Sequence, residues 1–81
     1  MIRTAPLSLR KALRVVHADG QYTYMNRVNG LYWFYTNTVG VPGGMWWNNP
    51  TPPPGVFGWT LHELRVYARN LIFAGRVEAH V

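Results

Sequence analysis

The sequence contains no cysteine and only three acidic residues among its 81. Without cysteine the chain can form no disulfide, no thiolate nucleophile and no Cys-based zinc site, so packing alone must hold the fold together. It also lacks the run of about 18 apolar residues that a membrane-spanning helix needs, and its N-terminal segment has no signal-peptide core. We therefore expect a protein of a reducing, cytoplasmic compartment without a membrane partner.

The chain has eight Lys and Arg residues and three acidic residues, which gives a formal net charge of +5. A basic chain of this kind favours an acidic partner, such as nucleic acid, an anionic membrane or the acidic face of a protein. The charges fall in the first third and the last quarter of the chain, and residues 28–61 carry none. This uncharged middle is predicted to be either core or a contact surface.

The chain is long enough for one domain, residues 1–81, with one modest core. Two dipeptides, Asp19-Gly20 and Asn29-Gly30, are typical of two-residue hairpin loops. The segments beside them are rich in Val, Tyr and Thr, which favour strands. The pattern predicts a three-stranded antiparallel meander over residues 13–36.

Alternation along these strands gives the predicted sheet two different faces. The more apolar face is predicted to be the core face, and it carries Leu13, Val15, His17, Tyr22, Tyr24, Asn26, Val28, Leu31, Trp33 and Tyr35. The other face carries Arg14, Arg27, Tyr32 and Phe34. If this second face is open, its rings and guanidinium groups suit single-stranded nucleic acid. If the long loop or the N-terminal segment covers it, its rings form a second small core.

Residues 60–75 predict the best-defined helix of the chain. Thr60 and Glu63 have the spacing of a capping box, and Gly75 suits the left-handed residue that ends a helix. Residues 76–81 then alternate like a short final strand. The segment around Ser8 is ambiguous, because it reads either as a strand or as one capped helical turn. The predicted fold is a small two-layer α+β domain in the order β-β-β-loop-α-β.

Residues 37–59 hold five Pro and five Gly together with four aromatic side chains. Loops longer than about 12 to 15 residues without structure of their own are uncommon in compact domains unless they are functional or disordered. One interpretation is that these rings complete the core. The other is a stiff loop that displays Met45, Trp46, Trp47 and Phe57 to a partner, since interfaces concentrate binding energy in rigid aromatic and Arg anchors.

Catalytic chemistry finds little support in the sequence. Asp19 and Glu63 already have predicted structural roles, and no pair of carboxylates or nucleophile motif is present. The three His lie in separate segments without a Cys or a zinc-site spacing, and Gly43-Gly44 lacks the context of a phosphate-binding loop. We predict a protein that is not an enzyme and that uses no metal or cofactor.

The function expected from these features is stoichiometric binding. The expected partner is a host protein or ribonucleoprotein complex with an acidic surface, contacted by Met45, Trp46, Trp47, Phe57, Arg65 and Arg69. In size and composition the chain resembles the small phage or mobile-element proteins that block a host machine, the anti-CRISPR proteins among them, although it shares no motif with them. One alternative is a nucleic-acid-binding domain that uses Arg14, Arg27, Tyr32 and Phe34. Another is a structural homo-oligomer with the Trp-rich loop as its interface.

Overall fold

The computed structural model describes residues 7–38 and 52–81 of the chain. The elements in chain order are α1 (Leu9–Asp19), β1 (Tyr22–Val28), β2 (Leu31–Thr36), β3 (Val56–Trp59) and α2 (Leu61–Phe73). The three strands form one antiparallel sheet in the order β1-β2-β3. The α+β class, the three-stranded antiparallel sheet and the C-terminal helix are therefore confirmed, but only β1 and β2 come from the predicted meander, and the third strand is β3.

The first predicted strand is wrong, because residues 9–19 form helix α1. Ser8 caps this helix by accepting a hydrogen bond from the Lys11 N–H at 3.1 Å. Gly20, with φ of 78°, ends the helix and donates its N–H to the His17 carbonyl. A glycine with positive φ serves a helix end as well as a hairpin turn. Residues 13–19 are thus part of a helix and not of the sheet, and the hairpin predicted at Asp19-Gly20 is absent.

The second predicted hairpin is confirmed. Asn29 and Gly30 both have positive φ, 54° and 77°, as a two-residue loop of this type requires. Val28 and Leu31, on the two sides of this loop, lie opposite each other. Further along β1 the register shifts between Tyr24 and Asn26. This bulge interrupts the alternation, so faces assigned by simple counting fail beyond it.

The core lies on the face of the sheet that carries Tyr32 and Phe34, and both helices pack there. Phe34 is fully buried, with 0% of its surface exposed, and Tyr32 is 6% exposed. The buried cluster is completed by Ala12, Val15, Val16, Leu64, Ala68, Leu71 and Val77. The predicted core face is therefore wrong for β2, since Trp33 and Tyr35 lie on the outer face of the sheet, whereas Tyr22 packs against the core as predicted. The reason is that α1 lies beside α2 as a second covering helix instead of extending the sheet.

Part of the predicted loop 37–59 is strand β3, which pairs with β2 from Val56 to Trp59. Phe57 lies opposite Phe34 and Trp59 lies opposite Tyr32, so both rings face the core. The ladder continues past the strand, where the Thr36 N–H donates to the Gly55 carbonyl at 2.8 Å. The rest of the Trp-rich stretch, residues 39–51, lies outside the described residues.

Helix α2 begins with the predicted capping box and is followed by turns. The Thr60 N–H donates to Glu63 Oε1 at 2.9 Å, and the Glu63 N–H donates to Thr60 Oγ1 at 3.1 Å. The predicted final strand over residues 76–81 is not formed. Val77 instead fills the core at 6% exposure, and Lys11 Nζ donates to the Val81 carbonyl oxygen at 2.6 Å. Residues 77–81 therefore cover the part of the core that lies next to α1.

Candidate binding surface on the helices

The two helices point their outer sides away from the sheet, and each carries an exposed line of side chains. On α1 these are Arg10, Arg14 and His17, which we call the α1 stripe. On α2 they are His62, Val66, Arg69 and Phe73, which we call the α2 stripe. The steps of three and four residues keep each line on one side of its helix. Because the opposite sides are buried in one core, both stripes lie on the outer surface of the helical layer.

The α2 stripe is unusual in its apolar content. Phe73 is 92% exposed and Val66 is 44% exposed. In the part of the chain that the structure describes, Tyr24 on β1 is the one other exposed large hydrophobic residue. Covering a side chain such as Phe gains about 1.5 to 3 kcal/mol relative to leaving it in water. Two such residues on one helical line therefore mark a place where a contact would be favourable.

The charge on these stripes has one sign. All three acids of the chain are elsewhere, and each already has a partner within the described residues. Asp19, with a side chain only 4% exposed, pairs with Arg76 at 3.1 Å. Glu78 pairs with His80 at 2.9 Å, and Glu63 belongs to the capping box. The helical surface consequently favours an acidic partner.

A cleft of about 300 Å³ lies beside the α2 stripe, on the side that faces β3. It is lined by Trp59, His62, Glu63, Val66, Tyr67 and Asn70. The ring centroids of Trp59 and Tyr67 are 4.8 Å apart, with the ring planes tilted by 36°. Both rings also pack against Tyr22, at 5.7 Å and 5.6 Å. These contacts fix the two rings in place before any ligand arrives.

Glu63 brings a negative charge to this cleft. The hydrogen bond from the Thr60 backbone N–H, followed by the one from the Thr60 side chain, lowers the pKa of the Glu63 carboxyl below its ordinary value. Hydrogen bonds to the charged form favour that form. The carboxylate is therefore ionised near neutral pH.

Tyr67 is held by a polar cluster at the end of α1. Its hydroxyl donates to Gln21 Oε1 at 3.4 Å, and the same oxygen accepts from Arg76 at 3.4 Å. Partial burial, and then the negative charge of Asp19, raise the pKa of the Tyr67 hydroxyl above its ordinary value. The ring is therefore neutral at physiological pH and serves as packing surface and hydrogen-bond donor.

The residues predicted to contact a partner fall in different places. Met45, Trp46 and Trp47 lie outside the described residues. Phe57 is half-buried and packs against Trp59 at 4.8 Å, so it is part of the wall of the core. Arg65 is half-buried, and its Nε is sealed from solvent without a hydrogen-bond partner. Arg69 is exposed on the α2 stripe.

The predicted nucleic-acid face is not formed as an open surface. Tyr32 and Phe34 lie beneath the helices, Arg14 is on α1, and the Arg27 guanidinium lies over the Tyr32 ring at 5.4 Å from its centroid. The sheet face that carries Tyr32 and Phe34 is covered, and this agrees with the interpretation in which its rings form a core. The cover consists of the helices, because the segment that was predicted to be the first strand is α1.

Sequence reasoning missed the α2 stripe and the cleft. Phe73 and Val66 do not belong to the apolar residues that α2 buries. Together with His62 and Arg69 they are spaced three or four residues apart, which places all four on one side of the helix. That signal is readable in the sequence once the buried side of the helix is fixed. The cleft depends on β3, which the Pro- and Gly-rich composition of its surroundings concealed.

Comparison with known proteins found no matching family model, no matching curated protein and no matching solved structure. Over the described ranges, no three His, Asp or Glu side chains come close enough to hold a metal ion. No helix in those ranges combines the length and apolar character needed to cross a membrane.

Proposed function

We propose that this protein is a non-enzymatic binding domain whose α2 stripe contacts a protein partner with an acidic surface. The observation that carries the proposal is Phe73, which is 92% exposed on the same helical line as Val66 and Arg69. An aromatic anchor beside Arg has the composition of interface hot spots. An amphipathic helix that offers residues at this spacing fits a groove on another protein.

The charge pattern supports an acidic partner. The α1 and α2 stripes carry Arg and His side chains and no carboxylate, and the chain as a whole has a net charge of +5. Charge complementarity speeds encounter and selects partners more than it adds affinity. In this proposal Phe73 and Val66 supply the affinity, and the cations supply the selectivity.

Photo-crosslinking from position 73 tests the proposal. With p-benzoylphenylalanine in place of Phe73, a nuclease-treated host lysate should yield a crosslink to one protein. That protein, purified, should bind the natural chain at 1:1, and Phe73→Ser should weaken the complex by about 2 kcal/mol, or about thirtyfold in Kd. Tyr24→Leu, checked by thermal melting, is the control, because it removes a partly exposed ring on a different element and keeps an apolar side chain beside Phe34, whose ring centroid lies 5.4 Å away.

Three results would contradict the proposal. The first is equal affinity of Phe73→Ser and the natural chain, with both shown to be folded by thermal melting. The second is loss of binding only when nucleic acid is removed, which would favour the nucleic-acid alternative. The third is a homodimer in sedimentation that Phe73→Ser dissociates, which would make the α2 stripe an interface between copies.

A further inference from the structure

The cleft beside the α2 stripe combines two immobilised rings with one carboxylate. Trp59 and Tyr67 form its aromatic wall at a centroid distance of 4.8 Å, and Glu63 lies one helical turn before Tyr67 on the same side of α2. Aromatic faces attract cations through the ring quadrupole. A carboxylate within reach of the same cation adds a charge-assisted hydrogen bond.

The carboxylate of Glu63 differs from the other two in the chain. Asp19 and Glu78 each form an ion pair, with Arg76 and His80. The Glu63 carboxylate is instead held through Oε1 by the Thr60 backbone N–H, and the neighbouring His62, which also lines the cleft, adds a Coulombic interaction smaller than the Thr60 hydrogen bonds. In a chain with an excess of five positive charges, this negative group remains available to a cation from outside.

We propose that the cleft binds the cationic side chain of an Arg or Lys residue of a partner protein. The guanidinium or ammonium group lies against Trp59 and Tyr67 and donates to Glu63, and Val66 packs on the aliphatic stem. The site goes beyond the proposed function, because it prefers the opposite charge from the α2 stripe. The cleft therefore adds a second contact by which the partner protein is selected, beside the contact at the α2 stripe.

A peptide titration followed by NMR tests this site without any macromolecular partner. The probe is Ac-Ala-Arg-Ala-amide, titrated up to 50 mM; the control peptide carries citrulline, which has nearly the same shape and no charge. We expect shifts of the Trp59 indole N–H and of the amides of residues 62–67. We expect the citrulline peptide to bind at least about fivefold more weakly. Equal shifts from both peptides, or no shift from the arginine peptide at the highest concentration, would overturn the proposal.

The variant Glu63→Gln removes the negative charge from the cleft and keeps the side-chain cap of α2. Glutamine also completes a capping box, so the variant should stay folded while its affinity for the arginine peptide falls at least about fivefold. Glu78→Gln is the matched control, because it makes the same change in net charge far from the cleft. Unchanged binding by Glu63→Gln would overturn the site. Failure here leaves the Phe73 crosslink unaffected, so the two proposals fail separately.

Discussion

The indole ring of Trp33 lies directly against the backbone of Gly58 on the neighbouring strand. A Cβ at position 58 would lie 3.0 Å from Trp33 Cε2 and 3.2 Å from Leu31 Cβ. The two residues are opposite each other in the ladder between β2 and β3, and Trp33 Nε1 donates to the Val28 carbonyl at 3.2 Å. The ring is therefore anchored at one end and occupies the space that a side chain would need.

We predict that Gly58→Ala lowers the free energy of unfolding by about 1 to 3 kcal/mol, the usual cost of overpacking. Urea unfolding measures the change. In a Trp33→Leu background the same substitution should cost less, because the smaller side chain can yield. Equal losses in both backgrounds would show that the cost arises elsewhere than in the contact between Trp33 and Gly58.

Arg76 is predicted to stabilise the fold by neutralising Asp19. Asp19 is the last residue of α1, where the helix dipole disfavours a negative charge, and its side chain is only 4% exposed. Arg76→Ala should therefore destabilise the protein by about 1 to 3 kcal/mol. Adding Asp19→Asn to that variant should restore part of the loss, as measured by thermal unfolding. No recovery would indicate that Arg76 acts through packing.

Tyr67 should make stability fall in alkaline solution. Its folded-state pKa is raised above the ordinary value of 10.0, so the folded chain keeps the proton over a range in which the unfolded chain has lost it. This contribution is complete below pH 10 and is lost as pH rises through the folded-state pKa. Unfolding free energies measured from pH 9 upward should fall less for Tyr67→Phe than for the natural chain. A parallel decline would rule out this cause.

Trp46→Ala and Trp47→Ala test the other proposed contact segment, which lies outside the described residues. If these side chains contact the partner, each variant should lose at least about 2 kcal/mol of binding and still melt cooperatively. The same assay with Phe73→Ser compares the two surfaces directly. If both Trp variants unfold, the two rings belong to the core and the α2 stripe remains as the contact surface.

The sequence predicts individual turns and helix caps better than it predicts which segments pack against each other. Asn29-Gly30 and the Thr60–Glu63 capping box are confirmed because each depends on a few adjacent residues. Asp19-Gly20 shows the limit: a positive φ at the glycine ends α1 and would equally have made a hairpin. Ala12, Val15 and Val16 have helical spacing, but Val15 and Val16 are β-branched and so favour the strand interpretation. Only the tertiary contact with α2 decides between the two.

The candidate site was harder to predict for a related reason. The sequence predicts Arg69 as a contact residue, and it lies on the α2 stripe. For Tyr32 and Phe34 the sequence leaves an open face and a covered core as alternatives, and both residues are buried. Exposure of Phe73 follows only from knowing which side of α2 meets the sheet. The bulge in β1 adds a second obstacle, since one extra residue reverses every inward and outward assignment beyond it.

The contacts made by the turns after α2 affect when the core becomes covered during synthesis of the chain. Val77 sits within the same cluster as Val15 and Phe34, and Arg76 reaches back to the end of the first helix. During translation, α1 and the β1–β2 hairpin are synthesised before residues 61–77, so their apolar sides stay uncovered until α2 and Val77 follow. Over that interval these segments are exposed to chaperones and proteases.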